Sequence, residues 1–347
     1  MPDQKRLFLV DAYALIFRGY YAFIKNPRIN SKGLDTSAIL GFMNSLLDVI
    51  KRERPDYLAV CFDKGGSSDR NALFEDYKAN RDETPEAIKI AVPYIESILN
   101  AMHIPIVVKE GYEADDIIGT LSKQAEKKGF STFMVTPDKD FAQLVSDHIF
   151  MYRPVFGGGY ETWGIPEVQK KFEVQTPDQV IDFLGMMGDS ADNIPGLPGV
   201  GEKTAKKFIA QFGSLEGLLE NTDQLKGKMK EKVEANKDLG LLSKQLARII
   251  LDVPVKFDEE NFKFSNPDTE MVKSIFEELE FRRLIENFRK TFELQTTKTN
   301  EESLSNQPEI ELDKTAGSGQ FSLFDQNTNQ SNKKTPFYQY IDSELGF

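Results

Sequence analysis

Five clusters of carboxylates carry most of the chemistry available to this sequence: Asp11 in LFLVDAYAL, Asp63 in AVCFDKGG, Glu113, Asp115 and Asp116 in GYEADDIIGTL, Asp138 and Asp140 in VTPDKDFAQL, and Asp189 and Asp192 in GMMGDSADNIPG. Each follows or interrupts apolar sequence, where a carboxylate is costly unless it is paired or binds a cation. A single Asp in such a place reads more readily as a helix cap or turn residue, and Asp189 alone could be only that. Five clusters at strand ends and helix starts are hard to account for as caps. Oxygen-only ligands suit Mg²⁺ or Mn²⁺. Two such ions side by side could hold a phosphodiester, activate water and stabilise the leaving oxygen. His103 and His148 are the only histidines and Cys61 is the only cysteine. That leaves little material for a histidine metal site, a Ser-His-Asp triad, a disulfide framework or a cysteine zinc site.

Two further segments carry positive charge or special backbone. GLPGVGEKTAKKFIAQFG, residues 196–213, superficially resembles a phosphate-binding Walker A loop. Glu202 intervenes between Gly201 and Lys203-Thr204, so the spacing is off by one, and no strand leads into it. The segment reads better as a hairpin between two helices, with Gly199 and Gly201 letting the backbone approach a phosphate at the amino end of the next helix. Lys203, Lys206 and Lys207 would add charge for a nucleic-acid backbone, although Lys207 fits a solvated helix face equally well. In DRNALFEDYKANR, residues 69–81, Arg70, Lys78 and Arg81 would bring cations near the acidic groups if the segment folds over them. By composition alone a charged solvent face looks similar.

The elements that must position these residues change character along the chain. Arg6–Asp11, Tyr57–Asp63, Ile104–Val108 and Thr132–Val135 are short apolar runs, each next to helical periodicity. Thr36–Lys51 repeats apolar residues at helical spacing behind a Thr cap, and Pro85–Met102 and Ala114–Lys128 also read as helices. This is an α/β pattern, a mostly parallel sheet flanked by helices. Chemistry in such sheets sits beyond the carboxyl ends of the strands, where Asp11, Asp63 and Asp138 fall. From about Thr176 the chain reads as short helices at 177–187, 202–212, 214–220, 225–235, 238–250, 268–279 and 281–292. The tract Thr296–Pro336 has seven hydrophobic residues in 41 and cannot repay its ordering entropy, so it is expected to be a disordered linker. The expected domains are therefore 1–175, 176–292, a linker over 293–336, and a last stretch, 337–347.

The net charge of −12 is unusual for a nucleic-acid enzyme. Residues 296–347 contribute −4, eight acids against four bases, so the remainder carries −8. Clustered carboxylates that bind divalent cations would offset several of those charges. Generic coating of DNA is thus disfavoured; a local grip is not. MPDQKRLFLVD is no signal peptide, and no apolar run approaches the roughly 18 residues of a membrane span, so a cytoplasmic, nucleoid-associated protein without membrane contact is expected.

VDAYALIFRGYYA, FDKGGSSDRNALFEDYKANR, GYEADDIIGTL, PDKDFAQLV and GDSADNIPGLPGVGEKTAKKFIAQFGSLEGLL, in this order, make residues 5 to about 292 resemble the flap endonuclease family, in particular the amino-terminal 5′ nuclease domain of bacterial DNA polymerase I. The resemblance implies a PIN-like α/β fold, a helical arch at about 70–103, and a helix–three-turn–helix DNA clamp. It implies a two-metal 5′→3′ exonuclease and flap endonuclease acting on DNA 5′ ends, flaps and RNA primer–DNA hybrids in replication and repair. Asp11, Asp63, Asp115, Asp138, Asp140 and Asp192 match its metal carboxylates, with Glu113, Asp116 and Asp189 completing the set. Lys78 and Arg81 match arch residues that meet the scissile phosphate, and Arg70 the arginine before them. Gly199, Gly201, Lys203 and Thr204 match a hairpin that often holds a K⁺ ion, and Tyr20 and Tyr21 match aromatics near the 5′ end. Pro137 departs from the family, which usually has Gly there. TPFYQYID at 335–342 resembles the start of the next polymerase I domain. Gln320–Phe324, QFSLF, resembles the pentapeptide that docks on the bacterial sliding clamp, through Gln320, Leu323 and Phe324. Two other readings compete. A related metal-dependent ribonuclease shares the core but not the hairpin and arch lysine. A non-catalytic DNA-binding module gains nothing from clustered negative charge.

Overall fold

The computed structural model describes residues 5–155 and 158–292, and the backbone of Tyr338–Gln339. The core is one sheet of strands β1 (Arg6–Asp11), β2 (Tyr57–Phe62), β3 (Ile106–Val108), β4 (Ser131–Val135), β5 (Ile149–Pro154), β6 (Tyr160–Trp163) and β7 (Tyr338–Gln339). Their order is β6-β5-β4-β1-β2-β3-β7. All neighbours run parallel except β5 and β6. The expectation of a mostly parallel sheet therefore holds. The β5–β6 hairpin is an addition that the sequence reading did not include.

The strands are buried on both faces, and their period of two sorts the core into halves. Leu7, Leu9, Ala59, Cys61 and Met134 point to one side. Phe8, Val10, Leu58, Val60 and Phe62 point to the other. The second side is covered by α1 (Ala12–Phe23), α2 (Ser37–Glu53) and a later helix, Glu86–Ala101. Where α1 crosses α2, a Cβ on Gly41 would lie 2.3 Å from Gly19 Cα, so only glycine permits the approach. Thr36 stands at the cap of α2, but its hydroxyl donates to the Arg28 carbonyl and makes no cap bond.

Between β2 and β3 lie α3 (Ser68–Leu73) and α4 (Glu86–Ala101). Ile88, Ala91, Ile95, Ile98 and Leu99 of α4 are buried in the core, so one face of this helix packs on the sheet. The segment 74–85 links α3 to α4.

α5 (Ala114–Lys127) covers the first side, followed by α6 (Ile165–Phe172), α7 (Gln179–Met187), α8 (Glu202–Phe212), α9 (Leu215–Glu220), α10 (Gly227–Ala235) and α11 (Lys237–Ala247). Val180, Phe183, Leu184, Leu197 and Phe208 share one apolar cluster with Leu7 and Leu9. The helical region is thus continuous with the sheet core. Beyond α12 (Glu259–Phe262), α13 (Thr269–Glu278) and the helix at 282–292 return to the opposite face, where Val272, Phe276, Leu284 and Phe288 join the cluster of Phe8. The stretch 176–292 therefore contributes apolar side chains to both sides of the sheet. Of the expected last stretch, Tyr338–Gln339 pairs with Ile106–Val107 at the sheet edge. The expected linker and Gln320–Phe324 lie outside the described residues.

Candidate active site

Three adjacent parallel strands, β4-β1-β2, end at one edge and deliver three carboxylates there. Asp11 closes β1 and caps α1, one oxygen accepting from the Ala14 N–H at 3.1 Å and the other from the Thr136 hydroxyl at 2.9 Å. Asp63 follows β2 and accepts from the Ala114 N–H at 2.7 Å. Asp138 follows β4 and caps the 3₁₀ turn Lys139–Leu144 by accepting from the Asp140 N–H at 3.0 Å. Pro137 leaves that cap in place, and its carbonyl accepts from Arg153. The first turn of α5 adds Glu113, Asp115 and Asp116.

Burial, and then mutual repulsion, raises these carboxyls. Burial followed by Asp63 pushes Asp11 up to about 7, against the opposing bonds from Ala14 and Thr136. Burial and then Asp138 hold Asp115 and Asp140 well above the carboxylate range. Asp140 is 9% exposed, and its Oδ1 is buried with no hydrogen-bond partner. Such an oxygen is costly unless something outside the protein completes it.

The loop after α7 brings the last two acids. Gly188 and Gly196 both have positive φ, and their backbones touch so closely that a Cβ on Gly196 would fall 2.4 Å from Gly188 N. This pinch presents Asp189 to Lys139 Nζ at 2.6 Å and Asp192 to the 74–85 segment. Lys78, in the left-handed region with φ 57°, donates its N–H to the Asp192 carbonyl. Its ammonium lies 2.6 Å from Glu113 and 3.6 Å from Asp192. Arg81 also pairs with Asp192, and the Tyr77 hydroxyl bridges Glu113 and Asp192 at 3.2 Å each. Burial works to raise Asp192, but Lys78 and Arg81 outweigh it and hold the carboxyl below its ordinary value. Thr136, Tyr77 and Lys139 were not singled out from sequence. Lys139 lies inside the DKD motif and could have been; the other two carry no local signal.

Two of the expected residues pair with each other. Arg70 is 4% exposed and forms a bidentate pair with Asp116 at 2.8 Å on each arm. It also donates to the Leu246 and Arg248 carbonyls, to the Ser67 hydroxyl and to Glu113. Asp116, fully buried, also accepts from the Ile250 N–H. Glu113 caps α5, with both oxygens engaged by Lys78, Arg70 and Tyr77.

Away from the acids, Tyr21 is 57% exposed, whereas Tyr20 packs on the core edge. Gly199 has φ 87°, and Gly201 caps α8, with the Thr204 N–H bonded to the Gly201 carbonyl. Lys203 is exposed, but Lys206 is tied to Glu202 at 3.0 Å and Glu173 at 3.3 Å. Lys232 of α10 reaches Gly199, where its Nζ would lie 2.9 Å from a Cβ. Nothing in the sequence around Lys232 announces that contact.

Among the described residues, no three Asp, Glu, His or Cys side chains converge tightly enough to cage an ion unaided. The donor set nonetheless fits a hard divalent cation. It consists of buried carboxylates that repel one another, with one orphaned oxygen, and Mg²⁺ keeps several waters and needs only one or two carboxylates. No helix among the described residues is long and apolar enough to cross a membrane.

Residues 6–180 match the model of the 5′-3′ exonuclease N-terminal resolvase-like domain, and residues 175–270 that of the 5′-3′ exonuclease C-terminal SAM fold. DNA polymerase I of Bacillus subtilis is 41% identical over 288 residues, covering 82% of this chain and 32% of that protein. The 5′-3′ exonuclease of Aquifex aeolicus is 36% identical over 289 residues, covering 83% of this chain and 97% of that protein. The chain thus spans about a third of the polymerase relative and nearly all of the exonuclease. Among solved structures, the T5 D15 protein co-crystallised with metal ions superposes with a TM-score of 0.59 at 21% identity, over 79% of this chain and 100% of the other. The catalytic core of Rad2 in complex with DNA substrate does so with a TM-score of 0.57 at 17% identity, over 83% and 92%. These two share the fold, a mostly parallel sheet flanked by helices with a second helical region. By its matches over residues 6–270, the chain belongs to the 5′-3′ exonuclease family.

Proposed function

We propose that this chain is a structure-specific 5′ nuclease that hydrolyses phosphodiesters at 5′ ends and flaps of DNA and of RNA primer–DNA hybrids, in primer removal and repair. The observation that carries it is the edge of β4-β1-β2, where Asp11, Asp63, Asp115, Asp138 and Asp140 gather with the Asp140 Oδ1 unpartnered. With Asp189 and Asp192, these residues would hold two Mg²⁺ or Mn²⁺ ions. Bound there, such ions supply Lewis-acid activation of water and neutralise charge at the scissile phosphate. Thr136 orients Asp11, and the Asp140 N–H orients Asp138. Lys78 and Arg81, which pair with Asp192, would exchange that partner for an entering phosphate and stabilise its developing charge. Arg70 and Asp116 lock the start of α5 and are positioning residues. Tyr21, the more exposed of the two tyrosines although its ring rests on Phe17 and Tyr20, would stack on a 5′ terminal base.

The hairpin Gly199–Gly201 with Lys203 would hold the duplex backbone, with K⁺ against its carbonyls. Gln320, Leu323 and Phe324 would dock on the sliding clamp, because QFSLF sets two phenylalanines and a leucine in an otherwise polar sequence. The curated relatives occur both as polymerases and as a free-standing exonuclease. A covalently attached polymerase and a nucleoid location are accordingly part of the proposal.

The test compares cleavage of a 5′-flapped duplex with that of single-stranded RNA, with and without chelator. Flap cleavage that stops with chelator is expected. In Asp140→Ala it should fall by roughly 10² or more while flap binding persists, the scale of losing a group that meets developing charge. Full activity in excess chelator, or preference for the RNA, would overturn the proposal.

A further inference from the structure

Gln143, three residues after Asp140 in VTPDKDFAQL, joins the acidic edge to the helices that would hold DNA. Its carboxamide is buried, 7% exposed, and fully used. Nε2 donates to the Asp140 carbonyl and to the Ala247 carbonyl, both at 3.0 Å, and Oε1 accepts from the Ile249 N–H at 3.0 Å. One partner belongs to the 3₁₀ turn that presents Asp140. The others belong to the end of α11 and the extended strap after it. Earlier in α11, the Ser243 hydroxyl accepts from the Gly196 N–H at 2.9 Å, and Gly240 backs onto Leu197. A continuous path of backbone-to-side-chain contacts therefore runs from the hairpin, through α11 and Gln143, to the main chain of Asp140.

We infer that Gln143 is a positioning residue for the nuclease reaction: it fixes the backbone of Asp140, and so the aim of its unpartnered Oδ1, relative to the helices bearing the hairpin. This rests on Asp140 being a metal ligand, as proposed above. The chain contains its own control. Gln124 of α5 ties the same strap with the same chemistry, donating to the Val255 carbonyl at 2.9 Å and accepting from the Phe257 N–H at 2.8 Å. None of its bonds reaches a carboxylate-bearing turn. A role confined to holding the strap is common to both glutamines; aiming Asp140 belongs to Gln143 alone.

The experiment titrates Mn²⁺ alone into wild type, Gln143→Leu and Gln124→Leu, following the free ion by electron paramagnetic resonance. Metal-free thermal unfolding and single-turnover flap cleavage across Mn²⁺ concentrations are measured alongside. Both variants should lose thermal stability. Only Gln143→Leu should bind Mn²⁺ about 10–100-fold more weakly, the usual range for partners that orient a ligand, with cleavage partly recovered at high Mn²⁺. If Gln143→Leu does not fold, Gln143→Met replaces it under the same criteria, because it keeps the length of the side chain without a charge and removes the donor to the Asp140 and Ala247 carbonyls. Wild-type Mn²⁺ affinity in the Gln143 variant, or equal weakening in both glutamine variants, overturns the inference. Failure of the wild type to bind Mn²⁺ instead overturns the nuclease reading, and this inference with it.

Discussion

At the scale of single residues, the acidic edge pays for its chemistry in proton affinity. The folded, metal-free protein holds Asp11 at about 7, whereas an ordinary aspartate sits at 3.8. A folded-state value above the unfolded one means that folding takes up a proton. The Asp11 contribution to stability is thus fully present below about pH 4 and is lost as pH rises through 7. Asp115 and Asp140 shift in the same direction. The metal-free melting temperature should therefore fall between pH 5 and 8, and Asp11→Asn should flatten the decline. Mg²⁺ should raise the melting temperature more at pH 8 than at pH 6, because ion and proton compete for one site. A metal-free profile that rises over this range would contradict the shifts. Lys78 poses a different question, since its ammonium already pairs with Glu113. If its charge acts on the phosphate as bonds break, Lys78→Ala should slow single-turnover cleavage about 10²-fold with little change in flap affinity. Weakened binding at an unchanged rate would reduce Lys78 to a backbone contact.

At the scale of elements, α5 explains why the helical region and the sheet cannot slide past one another. Asp116, Thr120, Gln124 and Lys128, four residues apart on one face, each bond main-chain groups of the strap at 250–257. Arg70 closes the top of this ladder by joining Asp116 to the Leu246 and Arg248 carbonyls. Removing it leaves a buried carboxylate without its counter-ion. Arg70→Ala should thus destabilise the fold by about 3–5 kcal/mol in denaturant titration. Arg70→Ala/Asp116→Ala should cost less than the two single changes summed; strict additivity would show that the pair is not coupled. These contacts also mark the limit of reading the sequence. Periodicity and strand-end acids were enough to find β1 to β4, α8 and the carboxylate edge. They gave no sign that Arg70 and Asp116, far apart in sequence, neutralise each other, because a motif treats an ion-pair acid and a ligand alike. Nor does local pattern show that α4 packs into the core, or that α13 crosses to the other face. Both outcomes depend on which apolar surfaces remain uncovered once the sheet has formed.

At the scale of the whole molecule, a chain of net charge −12 must bind a polyanion through a few placed cations. The surroundings of each lysine decide which ones serve. Lys206 looks as basic as Lys203 in AKKFIAQF and GEKT, yet its ammonium lies between Glu202 and Glu173, with only 17% of the side chain exposed. Those glutamates hold its charged form, so it meets a phosphate already compensated. Lys203, one residue past the start of α8, is exposed beside the N–H groups that a helix start offers to phosphate. Each phosphate contact that releases a counter-ion contributes a slope of about −0.9 to the logarithm of affinity against the logarithm of salt. Lys203→Ala should therefore flatten the salt dependence of duplex binding by about one unit, equally for any sequence. Lys206→Ala should change the slope much less and cost mainly the local ion pairs, which at this exposure are worth little. Measuring duplex affinity over a range of salt for both variants separates the two. Equal flattening would mean that the glutamates release Lys206 when DNA arrives, and an unchanged slope for Lys203→Ala would mean that the hairpin helix faces solvent in the complex.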